Sequence, residues 1–370
     1  MKVVKLKDIC TKGSSSLKQK DVQGKTGKYP IFGASGLIGY IDSYHQEKEY
    51  IGIVKDGSGI GRVMFLPPKS SVIGTLQYIL PKPGYDINYI GYCLKSLDLA
   101  SHKQGAAIPH IYFRDYGEKL VNVEESLDEQ RKIVERLNAA FERIDRMQIN
   151  AETALEEAKG ALAQIIRNSF IPAKDWEEKS IGDLSKDIRY GTSKPSCENG
   201  KYLYLRMNNI TSDGHLTLKD TKTISLEGAE YEKAVVRKGD ILFNRTNSLE
   251  HVGKTCVFDQ EEEMIIAGYL IRVRLKEEII PEFLSYFLNC DTTKTTLRKL
   301  AIGAVHQANI SASSLKKVRI KFPENKAEQE RIVTQIKKIE DKIKALKCNL
   351  ETITDKCNVL KQALLKETFE

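Results

Sequence analysis

Arg206, Asn208 and Asn209 cluster where an apolar, strand-like run gives way to a loop. Asn244, Arg245, Thr246 and Asn247 form a second set directly after another apolar run, and His306, Gln307 and Asn309 form a third. Arginine offers two parallel N–H donors, and asparagine and glutamine each offer a donor beside an acceptor. Such planar pairs match the edges of guanine and adenine in the DNA major groove, so these residue types point to base reading. In the first half of the chain, Ser35, Lys55, Asp56, Ser58, Gln104 and His110 lie in loops of corresponding order. Arg62, Lys103, Lys254 and Lys299 suit phosphate contacts, which position a protein without specifying sequence. Any one of these residues would serve equally as a solvated turn former, Asn208-Asn209 above all. The group carries weight because three loops recur in both halves.

Strings that could perform catalysis are few. Gly57-Ser58-Gly59-Ile60-Gly61 follows an apolar run, and such a turn can cradle a phosphate where a helix comes next. Here Arg62-Val63-Met64-Phe65-Leu66-Pro67-Pro68 comes next, a strand-like run stopped by proline, so a loop between strands fits better. Glu177-Glu178-Lys179 has the composition of a nuclease carboxylate–lysine pair but no partner carboxylate in a strand setting. The run Asn/Asp-Pro-Pro-aromatic, which would hold an extruded adenine, does not occur. The six histidines lack ligand spacing, and no serine or cysteine sits in a nucleophile setting. Seven scattered cysteines without a CxxC pair argue against zinc or a disulfide framework and for a reduced, cytoplasmic protein. No catalytic residue, metal or cofactor is expected in the chain.

The elements that would position these loops are written twice. Residues 126–170 and 325–369 align without a gap at an offset of 199 positions. Glu129-Gln130 answers Glu328-Gln329, Ile133-Val134 answers Ile332-Val333, and Phe170 answers Phe369. Each copy carries a heptad seam. In the first it runs Ile133, Leu137, Ala140, Ile144, Met147, Ala151, Ala154, Ala158, Ala161 and Ile165. In the second it runs Ile332, Ile336, Ile339, Ile343, Leu346, Leu350, Ile353, Cys357, Leu360 and Leu364. Leu155, Ile166 and Val359 fall off the seam. Apolar a/d positions sustained this far indicate a coiled coil of two helices, each roughly 65 Å long. Ser126 with Glu129, and Asn325 with Glu328, have the spacing of a capping box at each start. The small Ala-rich end of the first seam complements the large residues opening the second, which favours antiparallel pairing.

The expected organisation is therefore a domain over 1–125, a helix over 126–170, a second domain over 171–324 and a second helix over 325–370. The net charge of +8 falls mostly in the first domain, +5 over residues 1–126, against −1 over 127–170 and +2 for each later segment. That distribution agrees with a polyanion at the globular parts but does not require one. No apolar run is long enough to span a membrane. Strands are expected over 50–55, 62–66, 72–80, 120–123, 202–206, 240–243, 255–258 and 264–275, with short helices over 89–96 and 282–288. The two domains match loosely in order: 51–58 resembles 241–248, and 105–111 resembles 303–310.

Tandem variable domains, each followed by a long helix, make the chain resemble the specificity subunit of Type I restriction-modification systems. The resemblance rests on Lys28-Tyr29-Pro30-Ile31-Phe32-Gly33-Ala34-Ser35-Gly36, Lys55-Asp56-Gly57-Ser58, Tyr204-Leu205-Arg206-Met207-Asn208-Asn209-Ile210 and Gly239-Asp240-Ile241-Leu242-Phe243-Asn244-Arg245-Thr246. The Glu-Gln-x-x-Ile-Val opening of each helix adds to it, and it covers the whole chain. It implies an α+β protein with two mixed α/β target-recognition domains at opposite ends of an antiparallel two-helix coiled coil, related by a pseudo-two-fold axis. Each domain would read half of a bipartite double-stranded DNA site, with the helices fixing the gap. Two adenine methyltransferase subunits would dock on the helices and a restriction-translocase subunit would join them. S-adenosylmethionine and ATP would be bound by those partners, not by this chain. A coiled-coil adaptor whose globular ends bind proteins would share the same organisation.

Overall fold

The computed structural model describes residues 1–370 apart from 58, 106–108 and 305–306. The chain forms two compact units. One comprises Met1–Glu152 with Asn349–Glu370, the other Thr153–Cys348.

In the first unit, a four-stranded antiparallel sheet has the order Cys10–Ser14, Leu76–Pro81, Tyr50–Val54, Val63–Leu66. The central strand Tyr50–Val54 is buried on both faces, so its apolar run shows no polar alternation. Ile51 and Ile53 face helix Ile87–Ser96, while Tyr50 and Val54 join a separate cluster with Ile31, Val72 and Leu76. That second cluster lies under a smaller sheet of Gly36–Ile41, Tyr29–Gly33 and Ser71–Val72.

The second unit repeats this plan. Its four-stranded sheet runs Ser185–Tyr190, Leu270–Leu275, Ile241–Asn244, Thr255–Val257, with helix Pro281–Asn289 in the place of Ile87–Ser96. The smaller sheet is Lys222–Ile224, Tyr202–Leu205, Met264–Ile266, Val235–Val236. The single strands expected over 72–80 and 264–275 are each two strands, Ser71–Val72 with Leu76–Pro81 and Met264–Ile266 with Leu270–Leu275. In both places the chain leaves the small sheet, turns, and enters the large one. The turns fall at Gly74-Thr75 and Gly268-Tyr269, and the apolar residues on both sides make each run read as one strand. The hairpin Tyr29–Gly33 to Gly36–Ile41, which carries one of the motifs above, has no strand-like alternation that would announce it.

The long helices are Leu127–Ser169 and Lys326–Phe369. Within the first unit they pair antiparallel. Leu365 and Phe369, late in the second helix, share a core with Ile133, Val134 and Leu137, early in the first. Lys361 pairs with Asp145, and Cys357 lies against the Ile144 carbonyl. Within the second unit the sense is the same: Leu162, Ile166 and Phe170 meet Ile332, Val333 and Ile336.

The seam departs from the heptad reading. Met147 is 59% exposed, and Ala154 and Ala161 are also exposed, while Leu155 is buried and Leu162 half-buried. Leu346 and Leu360 likewise face outward, and Leu365 is buried beside its neighbour Leu364. A straight helix drifts ~20° per heptad against a strict 3.5-residue repeat. The larger leucine one position further on then takes the inward face. Of the three residues placed off the seam, Val359 is exposed, but Leu155 is buried and Ile166 half-buried.

The capping boxes form in half only. Ser126 Oγ accepts from Glu129 N at 3.4 Å, and Asn325 Oδ1 accepts from Ala327 N at 2.9 Å. The Glu129 and Glu328 carboxylates turn instead to Lys132 and Arg331. What fixes each start is the next residue, a glutamine with no exposed surface. Gln130 Oε1 accepts from Asp86 N at 2.7 Å, and its Nε2 donates to Gly84 O and Glu124 O at 3.3 and 2.7 Å. Gln329 repeats the pattern, accepting from Ile280 N at 2.9 Å and donating to Glu278 O and Pro323 O at 3.0 and 2.8 Å.

Gln130→Leu would remove the partner of the half-buried Asp86 N–H and of the Gly84 and Glu124 carbonyls, and a buried group left unpaired costs about 1–3 kcal/mol. We expect that variant to destabilise the first unit and Gln329→Leu the second, resolved by hydrogen exchange of each unit's strands. Equal loss in both units from either variant would contradict this. The chain ends also lie together: Lys2 pairs with Val123, and Asn122 Nδ2 donates to Glu370 O at 3.1 Å. A permutant joining Glu370 to Met1 by a short linker and opened between Ile171 and Pro172 is expected to fold with an unchanged circular dichroism spectrum and a cooperative melt. A molten or aggregated product would count against the antiparallel pairing.

Candidate nucleic-acid interface

Of the loops singled out in the sequence, those after Tyr50–Val54 and Ile241–Asn244 leave the large sheets and are held by the same hydrogen bonds in both units, whereas Ser35 and residues 206–209 lie on turns of the smaller sheets. In the first, Val54 N donates to Arg62 O at 3.0 Å and Gly61 N to Val54 O at 2.8 Å. In the second, Asn244 N donates to Lys254 O and Gly253 N to Asn244 O, both at 2.8 Å. Lys55 N donates to Thr75 O and Arg245 N to Tyr269 O, both at 3.0 Å. Ile111 N reaches Lys55 O and Ile310 N reaches Arg245 O, both at 2.9 Å. Two separate loops are thereby joined in each unit. Asp56 pairs with His110, which also pairs with Gln104. Thr246 pairs with Asn309, which also pairs with Ile302.

The frame sets up a correspondence by position. Lys55 answers Arg245, Asp56 answers Thr246, His110 answers Asn309, and Gln104 answers Ile302. Arg62 answers Lys254, and both cations reach back to a turn carbonyl: Arg62 Nη1 to Ala34 O at 3.0 Å and Lys254 Nζ to Ile210 O at 2.6 Å.

The side chains differ. In the first unit His110 Nδ1 lies 2.6 Å from Asp56 Oδ1, and Gln104 Nε2 donates to Asp115 Oδ2 at 2.9 Å. Lys55 is half-buried, with Nζ 3.8 Å from Asp56 Oδ2, and Ser35, Arg62, Lys103 and Gln104 are exposed. In the second unit the Arg245 guanidinium lies 4.7 Å from the Tyr190 ring centre. It donates to Asn309 Oδ1 at 2.7 Å and to Gly268 O at 3.4 Å. Each terminal nitrogen carries two hydrogens, so one on each remains for a ligand. Asn208, Gln307 and Lys299 are exposed, and Asn247 is half-buried.

Four of the expected contact residues are committed within the fold. Asn209 is buried and builds the turn: its Oδ1 accepts from Arg206 N at 2.9 Å and its Nδ2 donates to Thr217 O at 2.9 Å. Asn244 has no exposed surface because it occupies the core position that Val54 holds in the first unit. Thr246 is buried within the strand pairing that joins the loops. Lys254, taken as a phosphate contact, is bound to backbone carbonyls, and burial lowers its pKa. Arg206 is partly committed, donating to Asp220 O at 2.8 Å. Ser58 and His306 lie outside the described residues. The sequence reading missed the aromatics that brace the cations: Tyr190 under Arg245, and Tyr112 between His110 and Arg114. Tyr112-Phe113-Arg114, an aromatic beside arginine directly after a chosen loop, was the available signal.

Among the described residues, no cluster of three His, Cys, Asp or Glu side chains could hold a metal ion, and no helix is long and apolar enough to cross a membrane.

Two domains on one frame, joined to long paired helices, define a class of modular recognition protein. A family model for the Type I restriction modification DNA specificity domain matches residues 1–157 and again 173–354, and the chain belongs to that family. It is 29% identical over 203 residues to the putative type I restriction enzyme MjaX specificity subunit of Methanocaldococcus jannaschii, a stretch covering 53% of this chain and 46% of the relative. To the type I restriction enzyme EcoKI specificity subunit of Escherichia coli K12 it is 23% identical over 259 residues, covering 66% and 55%. The chain thus spans about half the length of these curated relatives. The fold is similar to that of a chain solved in work on complex assembly and conformational transition of the type I R-M system, with a TM-score of 0.72, 18% identity and coverage of 99% and 96%. It is also similar to the HsdS subunit from Thermoanaerobacter tengcongensis, with a TM-score of 0.57, 19% identity and coverage of 99% and 95%.

The burial pattern separates exposed candidates from residues that build the fold. Asn209→Ala is expected to lower the melting temperature of the second unit, since three backbone groups lose a partner. Asn244→Val, which restores the residue type of the first unit, should raise it, because burying an amide without partners costs about 1–3 kcal/mol. A lower melting temperature for Asn244→Val would show that the amide is held by a bond essential to the fold.

Proposed function

We propose that the chain is a DNA-sequence specificity subunit without catalysis of its own. Each unit reads one half of a bipartite double-stranded site. One observation carries the reading: a single backbone frame, built twice, presents different side chains at corresponding positions. Lys55 and His110 on one frame answer Arg245 and Asn309 on the other, and these, with Asp56 and Gln104 in the first unit and Asn208 and Gln307 in the second, would select different bases. A protein binding a repeated or symmetric target would gain nothing from that divergence. Arg62, Lys103 and Lys299 would contact phosphates, which fix register.

The partners in this reading are two adenine methyltransferase subunits, which dock on the long helices and bind S-adenosylmethionine, and a restriction-translocase subunit that binds ATP. The complex would work in the cytoplasm, where genomic DNA and those cofactors are found.

Methylome sequencing of cells expressing this chain with its methyltransferase tests the proposal. The expected result is adenine methylation on both strands of one bipartite motif. An unmodified genome, with the methyltransferase present and bound, would instead favour an adaptor that joins proteins. Arg245→Ala should relax discrimination at one half-site, since a bidentate contact to a base is worth roughly 1–3 kcal/mol of discrimination. The other half-site should be read as before. Equal relaxation of both would make Arg245 a phosphate or scaffold residue.

A further inference from the structure

Each unit has a groove at the same place, between the edge strand of the large sheet, the short helix and the adjoining turns of a long helix. The correspondence is residue by residue. Phe65 answers Val257, because each faces the matching position of the central strand, Ile51 or Ile241. Tyr92 answers Tyr286, each six residues after the amide held by Gln130 or Gln329. Both tyrosine hydroxyls bond the long helix, Tyr92 to Asn138 and Tyr286 to Glu340 Oε2 at 2.5 Å. Lys95 then answers Asn289, and Phe141 answers Glu340.

The two grooves differ in what covers them. In the second unit the connection from Tyr202–Leu205 to Lys222–Ile224 is long, and its residues 213–216 enter the groove. His215 Nε2 comes 3.8 Å from Glu340 Oε1, and Asn289 turns inward to bond Thr255 at both its N–H and its carbonyl. The fit is close: a Cβ on Gly214 would stand 2.5 Å from Asn289 Nδ2. About 330 Å³ remains. In the first unit the matching connection, between Tyr29–Gly33 and Gly36–Ile41, is only Ala34 and Ser35 and cannot reach. That groove is open, at about 740 Å³, and walled by Phe65, Tyr92 and Phe141.

Its charge is also unbalanced. Asp145 is taken by Lys361 and Glu142 by Arg146. Lys95 is half-buried, with its ammonium 4.4 Å from the Phe65 ring centre and 5.7 Å from that of Tyr92. No carboxylate among the described residues pairs with it. Burial, followed by the charge of Lys361, lowers its pKa. A half-buried cation held only by ring faces lacks a counter-charge, and its attraction for an incoming carboxylate is stronger in this low-dielectric setting than in open water.

We propose that the groove of the first unit receives an acidic segment of the methyltransferase partner. A carboxylate meets Lys95, and apolar neighbours of that carboxylate lie against Phe65 and Phe141. In the second unit residues 213–216 occupy the same place, so the two methyltransferase copies dock unequally. This rests on the proposed function, which supplies the partner.

The test titrates the full-length chain with the purified methyltransferase subunit encoded with it, resolving the two binding steps by native mass spectrometry. Lys95→Glu is expected to weaken one step at least tenfold and leave the other unchanged. Lys95→Met, which keeps the stem over the rings, should weaken the same step less, and His215→Ala should leave both unchanged. Unchanged steps in Lys95→Glu, or equal weakening of both, would overturn the inference, with circular dichroism showing that the variant is folded. If the wild-type chain binds no methyltransferase, the proposed function falls and the groove assignment with it. If the wild-type complex methylates a bipartite motif while Lys95→Glu binds normally, only the groove assignment falls.

Discussion

The architecture depends on a buried glutamine at the start of each long helix. An amide side chain with no exposed surface must satisfy one acceptor and two donor hydrogens, and a helix N-terminus has orphan groups of its own. Gln130 meets its requirement by bonding the entry to the short helix at Asp86, the turn at Gly84 and the exit of the last strand at Glu124. Two separate stretches, residues 84–86 and the exit of the last strand, are therefore fixed to one turn of the long helix. Gln329 does the same with Ile280, Glu278 and Pro323. Leucine would fill the volume but could not specify direction. The hydrogen bonds thus set how each helix leaves its domain, while the apolar residues that follow supply most of the burial energy.

That constraint separates what varies from what cannot. The amide bonds around Val54 and Asn244, Lys55 and Arg245, and Ile111 and Ile310 involve only the backbone, so they persist through any substitution the loop geometry accepts. Recognition residues projecting from such a frame can change type without moving the chain. Lysine beside aspartate and histidine in one unit, and arginine clamped by asparagine and tyrosine in the other, illustrate that freedom. Buried positions have less of it. Asn244 places an amide where its counterpart is valine, and neither of its polar side-chain atoms finds a partner among the described residues.

How much of this was legible in the sequence depended on whether residue identity or only residue character carried the signal. The long helices repeat at the level of identity, and their antiparallel sense could be inferred from the small residues of one seam and the large ones of the other. The exact inward face was not legible, because the heptad approximation loses register against a straight helix and Leu155 displaces Ala154. The domains repeat only in character, so the order of their central strands could be read but not the sheet changes within 72–80 and 264–275. At the site, the sequence identified loops that the fold brings together. It could not sort them by burial, since Asn208 and Asn209 are the same residue type, yet one is exposed and the other is the centre of a turn. The roles diverge because Asn209 points at Thr217 and Lys219, partners supplied by a loop that returns only later in the chain.

The same loop accounts for the asymmetry between otherwise matching units. Lengthening the connection after Tyr202–Leu205 gives Asn209 its partners and gives Lys254 the Ile210 carbonyl it bonds. It also carries residues 213–216 onto the short helix and the long helix behind it. In the first unit the two-residue turn at Ala34-Ser35 leaves Arg62 a single carbonyl and leaves the aromatic groove bare. The greater length of one surface loop therefore bears on both the end of the domain that carries the candidate contact residues and the side that adjoins the long helix. Loops tolerate such changes because extra residues there cost little chain entropy. Here the two effects are joined because the connection begins beside one surface and ends its excursion against the other.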